Sequence, residues 1–116
     1  MFDFEKLEVY QIARVLNKKV LMHLYSNKNL DLFIKEQWKR ATLSIVLNLA
    51  EGTGRITNAD KKHFYTISRG SVFECVALLE TVHDLELIDM EKFKDFYSGY
   101  EQLSKMLLAM FRSFDK

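Results

Sequence analysis

Proline is absent from this sequence, cysteine occurs once and glycine only four times. A chain without proline lacks the fixed-φ residue that most often breaks a helix, so long uninterrupted helices are open to it. With Cys75 alone, neither an intrachain disulfide nor a cysteine-based zinc site can be built within one chain, which fits a reducing cytoplasm. The apolar run between Arg40 and Glu51 is too short to span a bilayer, and the opening "MFDFEKLEVY" has neither the basic nor the apolar region of a signal peptide. No membrane role is expected. Charge of one sign is missing too: Lys and Arg number 17 against 16 Asp and Glu, a net charge of +1. The whole-molecule field therefore does not draw nucleic acid, and any such binding has to come from a local patch.

What the sequence does have is apolar content, 48% hydrophobic and 13% aromatic residues, which is enough for one ordered domain over residues 1–116 with a core of its own. The spacing predicts four helices, at about 4–25, 31–51, 58–85 and 90–114. In the first, Val9, Ala13, Leu16, Val20 and Leu24 return every three or four residues. "SNKN" at Ser26 to Asn29 breaks the pattern as a turn. Gly52 and Gly54 end the second helix, read as left-handed caps. Thr57 or Asn58 caps the third, with Asp60 in its first turn, and Asp89 caps a fourth carrying Phe93, Phe96, Tyr100, Leu103, Leu107, Met110 and Phe114. Four such helices joined by short loops make an all-α, antiparallel up-down bundle.

Helices two and three are more apolar than one core requires. Helix two carries Ile34, Trp38, Ile45 and Leu49 on one stripe and Leu43, Val46, Leu47 and Ala50 on another. Helix three repeats this with Phe64, Ile67, Leu78 and Val82 beside Val72, Val76 and Leu79. A surface helix normally shows one apolar stripe and one solvated face, so the surplus implies a homo-oligomer.

Catalytic chemistry finds little support. Glu80-Thr-Val-His83 has the Glu-x-x-His spacing of di-iron bundles, but such sites need a second copy on another helix, and the nearest relative, Asp60-Lys-Lys-His63, lies on the same one. Cys75 sits among apolar neighbours with no cation near in sequence, which reads as packing. The intervals from Arg14 to His23 and from Arg55 to His63 exceed the arginine–histidine spacing of some helical RNases. Gly52-x-Gly54-Arg55 could cradle a phosphate at a helix start, yet a helix precedes it where nucleotide motifs need a strand, so a helix end is the plainer reading. No catalytic residue, metal, cofactor or small-molecule substrate is expected. Arg55, Lys61 and Lys62 form a local basic group, the candidate contacts for RNA or DNA.

"FEKLEVYQIA" at Phe4 to Ala13, then Gln37, Arg40, Ala41, Ser44-Ile45, Asn48-Leu49-Ala50-Glu51-Gly52, Gly54-Arg55, Gly70-Ser71 and Glu74 together resemble the bacterial four-helix-bundle proteins found as reading frames in intervening sequences of 23S rRNA genes. Val46 stands where that family commonly has proline and Leu47 where a small residue is usual. Ser68 and Arg69 precede Gly70, where alanine is frequent at the first of these positions. The resemblance implies a bundle that assembles as a homopentameric ring and has no enzymatic activity. Related bundles serve retroelement reverse transcriptases as nucleic-acid-binding accessory proteins, which motivates a role as an RNA- or nucleic-acid-associated scaffold. The alternative is a protein-docking or assembly module; a third class, an RNA-cleaving or metal-dependent enzyme, requires clustered carboxylates or histidines.

The polar residues of the central motif are expected to be structural. With the turn centred near Gly54, Gln37 and Arg40 come level with Ser71 and Glu74. Arg40 would then pair with a buried Glu74, Gly70 would let helices two and three approach closely, and Glu51 would reach the start of helix three or Arg55. Ser44, Asn48 and Gly52 complete this seam.

Overall fold

The computed structural model describes residues 1–115; Lys116 lies outside them. A short 3-10 turn at Asp3–Lys6 leads into four helices, α1 (Glu8–Ser26), α2 (Leu32–Thr53), α3 (Asn58–Asp84) and α4 (Met90–Ser113). No strand occurs among the described residues. The first helix starts later than its apolar spacing suggests, because Leu7 is extended and separates the 3-10 turn from α1. The Gln11 amide reaches back to donate to the Glu5 carbonyl, tying that turn down.

The caps follow side-chain chemistry. Thr57 Oγ1 accepts from the Asp60 N–H at 3.1 Å, and an Asp89 carboxylate oxygen accepts from the Lys92 N–H at 2.7 Å. Both bonds satisfy amides that an α-helix leaves open in its first turn. The end of α2 differs from expectation. Gly52 is inside the helix, and Gly54 caps it at φ −80° with its N–H on the carbonyls of the last turn, so neither glycine is left-handed. Among the described residues the one left-handed residue is Glu86, at φ 60°, in the tight connection between α3 and α4.

Each helix contributes a stripe to one core: Val9, Ala13, Leu16, Val20 and Leu24 from α1; Trp38, Ala41, Ile45 and Leu49 from α2; Val72, Cys75, Leu79 and Val82 from α3; Phe96, Tyr100, Leu103 and Leu107 from α4. The helices pack in a closed circuit, α1 on α2, α2 on α3, α3 on α4 and α4 on α1. The α2–α3 edge of the molecule is therefore opposite the α1–α4 edge. The whole measures 46 × 25 × 22 Å. No helix among the described residues is long and apolar enough to cross a membrane.

Candidate functional site

The polar residues inside the core form a directional chain. Trp38 Nε1–H donates to the Tyr100 hydroxyl at 3.1 Å, and Thr42 Oγ1–H donates to Asn17 Oδ1 at 2.7 Å. Thr42 Oγ1 and the Tyr100 hydroxyl lie 3.1 Å apart. Because the Thr42 proton is committed to Asn17, the Tyr100 proton goes to Thr42, and the chain runs Trp38 to Tyr100 to Thr42 to Asn17. Cys75 lies beside Tyr100 and Thr42, so all four helices meet at this point. Burial pushes the Cys75 thiol up to about 12, and burial holds the Tyr100 phenol well above its ordinary range. Burial thus favours the protonated form of both groups. The arrangement fixes how the four helices face one another.

His23 sits at the edge of this core, with its ring set edge-on against those of Trp38 and Phe96 at 6.4 and 5.6 Å. Its Nε2 is buried without a hydrogen-bond partner. Burial, and after it the Lys92 charge, lowers its pKa from 6.5, while Asp89 acts the other way. A histidine whose folded pKa is depressed takes up its proton more readily in the unfolded chain, so stability should fall as pH drops below about 6.5 and level off below the folded pKa. Urea midpoints measured from pH 8 to 5 should show this decline, and His23→Gln should flatten it. An unchanged slope in the variant would assign the decline to other groups.

The central motif forms a seam that differs from the expected one. Ser71 Oγ donates to Ser44 Oγ at 2.7 Å, and Asn48 Nδ2 donates to Ser44 Oγ and to the Ser44 carbonyl, both at 2.9 Å. Ser68 Oγ donates to the Ile45 carbonyl at 2.7 Å. Ser71 thus meets Ser44, one turn further along α2 than Arg40, because α2 runs on to Thr53 and the turn lies beyond Gly54. Arg40 and Glu74 form no ion pair; both side chains are exposed on the protomer, and Gln37 is half-buried. The reason lies in α3, whose core stripe runs through Ser68, Val72, Cys75, Leu79 and Val82 and leaves Ile67, Gly70 and Glu74 facing outward.

The glycine of close approach is Gly52. A Cβ there would fall 2.8 Å from Tyr65 Cε1 and 2.9 Å from Phe64 Cβ, whereas a Cβ at Gly70 would meet nothing within 4 Å. The two alanine substitutions should therefore separate in sign. Gly52→Ala should destabilise by about 1–3 kcal/mol through overpacking, and Gly70→Ala should stabilise the protomer by up to about 1 kcal/mol through helix propensity. Denaturant unfolding of both variants measures this, and a Gly52→Ala protein as stable as the parent would refute the close approach.

The basic group at the α2–α3 turn is engaged within the molecule. Arg55 pairs with Glu51 at 3.5 Å and lies over the Phe64 ring at 4.5 Å. Lys61 Nζ donates to the Thr53 carbonyl at 2.8 Å, and Lys62 contacts the Asp115 carboxylate. Glu51 is thus held by Arg55, while the start of α3 is capped by Thr57.

The family model for 23S rRNA-intervening sequence proteins matches residues 5–109. The chain belongs to that family. Among solved structures, a protein of unknown function from the S23 ribosomal protein family of Bacteroides thetaiotaomicron, determined at 1.70 Å, is similar with a TM-score of 0.83 and 19% identity. The match covers 89% of this chain and 97% of that one, and at this identity it speaks for the fold alone. Among curated proteins there is no match. Within this family member, sequence reasoning missed Asn17, Thr42, Tyr65 and Ser68. A signal existed for two of them: Asn17 falls between Ala13 and Val20, and Thr42 between Trp38 and Ile45, both at core spacing.

The surplus apolar stripe of α2 is only partly on the surface: Leu43 and Leu47 are exposed, while Val46 packs against the core and Ala50 is half-buried. Leu47 is 62% exposed, Leu43 40%, and Ile67 of α3 38%. Arg40 and Glu74 are exposed on the same two helices.

Proposed function

We propose that this protein is a non-enzymatic, antiparallel up-down helical bundle that works by assembling with copies of itself through the outer face of α2 and α3. The observation that carries this reading is the exposure of Leu43 and Leu47 on α2 and of Ile67 on α3, two helices joined by the Ser71–Ser44 and Ser68–Ile45 hydrogen bonds. Water contact with this much aliphatic surface is unfavourable, at roughly 25 cal/mol per Å², and contiguous patches of this kind mark association surfaces. Arg40 and Glu74 supply one cation and one anion on the same face, so two copies can match charges across a shared interface. The antiparallel arrangement is supported by pairs between the helices: Asn17 with Thr42 and His23 with Trp38 between α1 and α2, and, from α3, Arg69 with the Ser104 carbonyl of α4 and Lys62 with Asp115 just past the end of α4. In each helix pair the residue number rises on one helix as it falls on the other. A ring of five is what the family resemblance implies.

The groups that would have to act in an enzyme are engaged in packing. The Cys75 thiol is buried and protonated, and the His83 ring is stacked on Phe93 at 4.2 Å. Light scattering at micromolar protein should give a mass several times 13.7 kDa; a protein that stays at one chain mass at every concentration would overturn the reading.

The second reading, an RNA- or nucleic-acid-associated scaffold in the cytoplasm, rests on Arg55, Lys61 and Lys62 sharing the α2–α3 turn, which an assembly would repeat. Their internal partners favour assembly as the primary role. Binding to mixed RNA should be weak, indifferent to sequence and steeply salt-dependent. No binding at low salt removes this second reading and leaves the first intact.

A further inference from the structure

The edge opposite the proposed assembly face carries a groove of different character. Two adjoining depressions, of about 700 and about 380 Å³, run between α1 and α4 and share Val15, Lys19 and Asp95 in their walls. The helices close beneath them because residue 99 is glycine: a Cβ there would come within 2.9 Å of both Leu16 Cδ atoms. Val15 and Met22 stand two turns apart on α1, 58% and 60% exposed although apolar. A solvated helix face would carry polar residues at these positions. The charges beside them are unbalanced. Lys18, Lys19 and Lys92 line the groove against the single carboxylate of Asp95, which pairs with Lys19 at 3.6 Å. Lys18 and Lys92 form no ion pair among the described residues. In a molecule of net charge +1, this is a local patch that is both apolar and cationic.

We propose that the α1–α4 groove is the docking site for an acidic amphipathic helix of a partner protein. Such a helix would lay its apolar ridge between Val15 and Met22 and set its carboxylates against Lys18 and Lys92, the helix-in-groove mode in which anchors recur every three or four residues. Methionine suits this use, since its unbranched thioether adapts to the ridge it receives. The stretch of α1 from Gln11 to Ser26 lines the groove and spans about 22 Å, which matches a ligand helix of roughly four turns. Nucleic acid fits less well, because a phosphate backbone engages the lysines but leaves Val15 and Met22 without an apolar partner. The proposal is independent of the assembly reading, as it uses the opposite pair of helices.

The test uses three fluorescent probes on the full chain: a 16-residue leucine–glutamate amphipathic helix, its leucine–lysine counterpart, and mixed RNA. The acidic peptide should bind. Met22→Asp and the double variant Lys18→Glu/Lys92→Glu should each weaken it about tenfold, and the double variant should gain affinity for the basic peptide. Leu47→Glu, on the opposite edge, should leave peptide binding unchanged, so a failure of assembly is read separately from a failure of docking. Unfolding midpoints of the variants confirm that the fold is retained; if Met22→Asp does not fold, Met22→Gln replaces it. Three results would each overturn the proposal: acidic-peptide binding indifferent to both groove variants, RNA binding at this groove without peptide binding, or a drop of folded Met22→Asp to a single chain mass, which would place a second copy there.

Discussion

Trp38→Ala should cost about 3–5 kcal/mol of stability, the range for removing a buried large aromatic side chain. Trp38 is fully buried, packs edge-on against His23 and Phe96, and donates to the hydroxyl of Tyr100. Truncation leaves a cavity at the point where α1, α2 and α4 meet and deprives the Tyr100 oxygen of its donor. Against a total of about 5–15 kcal/mol for a domain, this leaves a protein close to unfolding. Tyr100→Phe should cost less, about 1–3 kcal/mol, because shape is kept while the Trp38 N–H is left unpaired inside the core. Urea unfolding of both variants checks the order. A Trp38→Ala protein that loses under 1 kcal/mol would show that the core does not depend on this contact.

The second large effect concerns assembly. Leu43→Glu/Leu47→Glu should reduce the particle to one chain mass while leaving helix content unchanged. Leu47 is 62% and Leu43 40% exposed on the protomer, so the protomer should lose no more than about 1 kcal/mol of stability. In an assembled interface the same carboxylates would lose their water without a fixed partner, at a cost of several kcal/mol in each copy. Symmetry repeats that cost around a closed assembly, so two substitutions per chain are enough to shift it to protomers. Light scattering and circular dichroism together measure this. A variant that keeps the parent's mass would move the interface elsewhere.

The four helices were legible because their apolar spacing is strong, and the caps at Thr57 and Asp89 because a side-chain oxygen at a helix start is a local chemical signal. Of the apolar residues that looked surplus, Leu43 and Leu47 of α2 and Ile67 of α3 are exposed, whereas Val46, Val76 and Leu78 pack against the core and Val72, Leu79 and Val82 belong to it. Which stripe of α3 faces the core was not legible. Both are apolar, and the choice depends on the register against α2 and α4, set by Ser68 on the Ile45 carbonyl, Ser71 on Ser44 and Arg69 on the Ser104 carbonyl. These are contacts between residues 23 to 35 positions apart, which no local pattern encodes. Glu74 looked like a buried charge in search of Arg40 for that reason, and it is a surface residue of the protomer. Gly52 and Gly70 illustrate the same limit. One is a site of close contact and the other is open, and the positions of Phe64 and Tyr65 separate them. The polar chain from Trp38 to Asn17 was hidden because its members belong to three helices: core spacing marks Asn17 and Thr42 as buried, but not as partners of each other or of Tyr100.

The claim that the outer α2–α3 face is an interface can be tested most directly by the reactivity of a thiol placed on it. Cys75, the protein's one cysteine, is buried with its thiol pushed up to about 12 and will not compete for reagent. In Leu47→Cys, the rate of maleimide labelling should be slow at protein concentrations where the assembly forms and should rise on dilution to protomers, by on the order of tenfold as mass action exposes the site. Val15→Cys, on the opposite edge, should label at one rate throughout. Fast, concentration-independent labelling of Leu47→Cys in a protein that light scattering shows to be assembled would contradict the account.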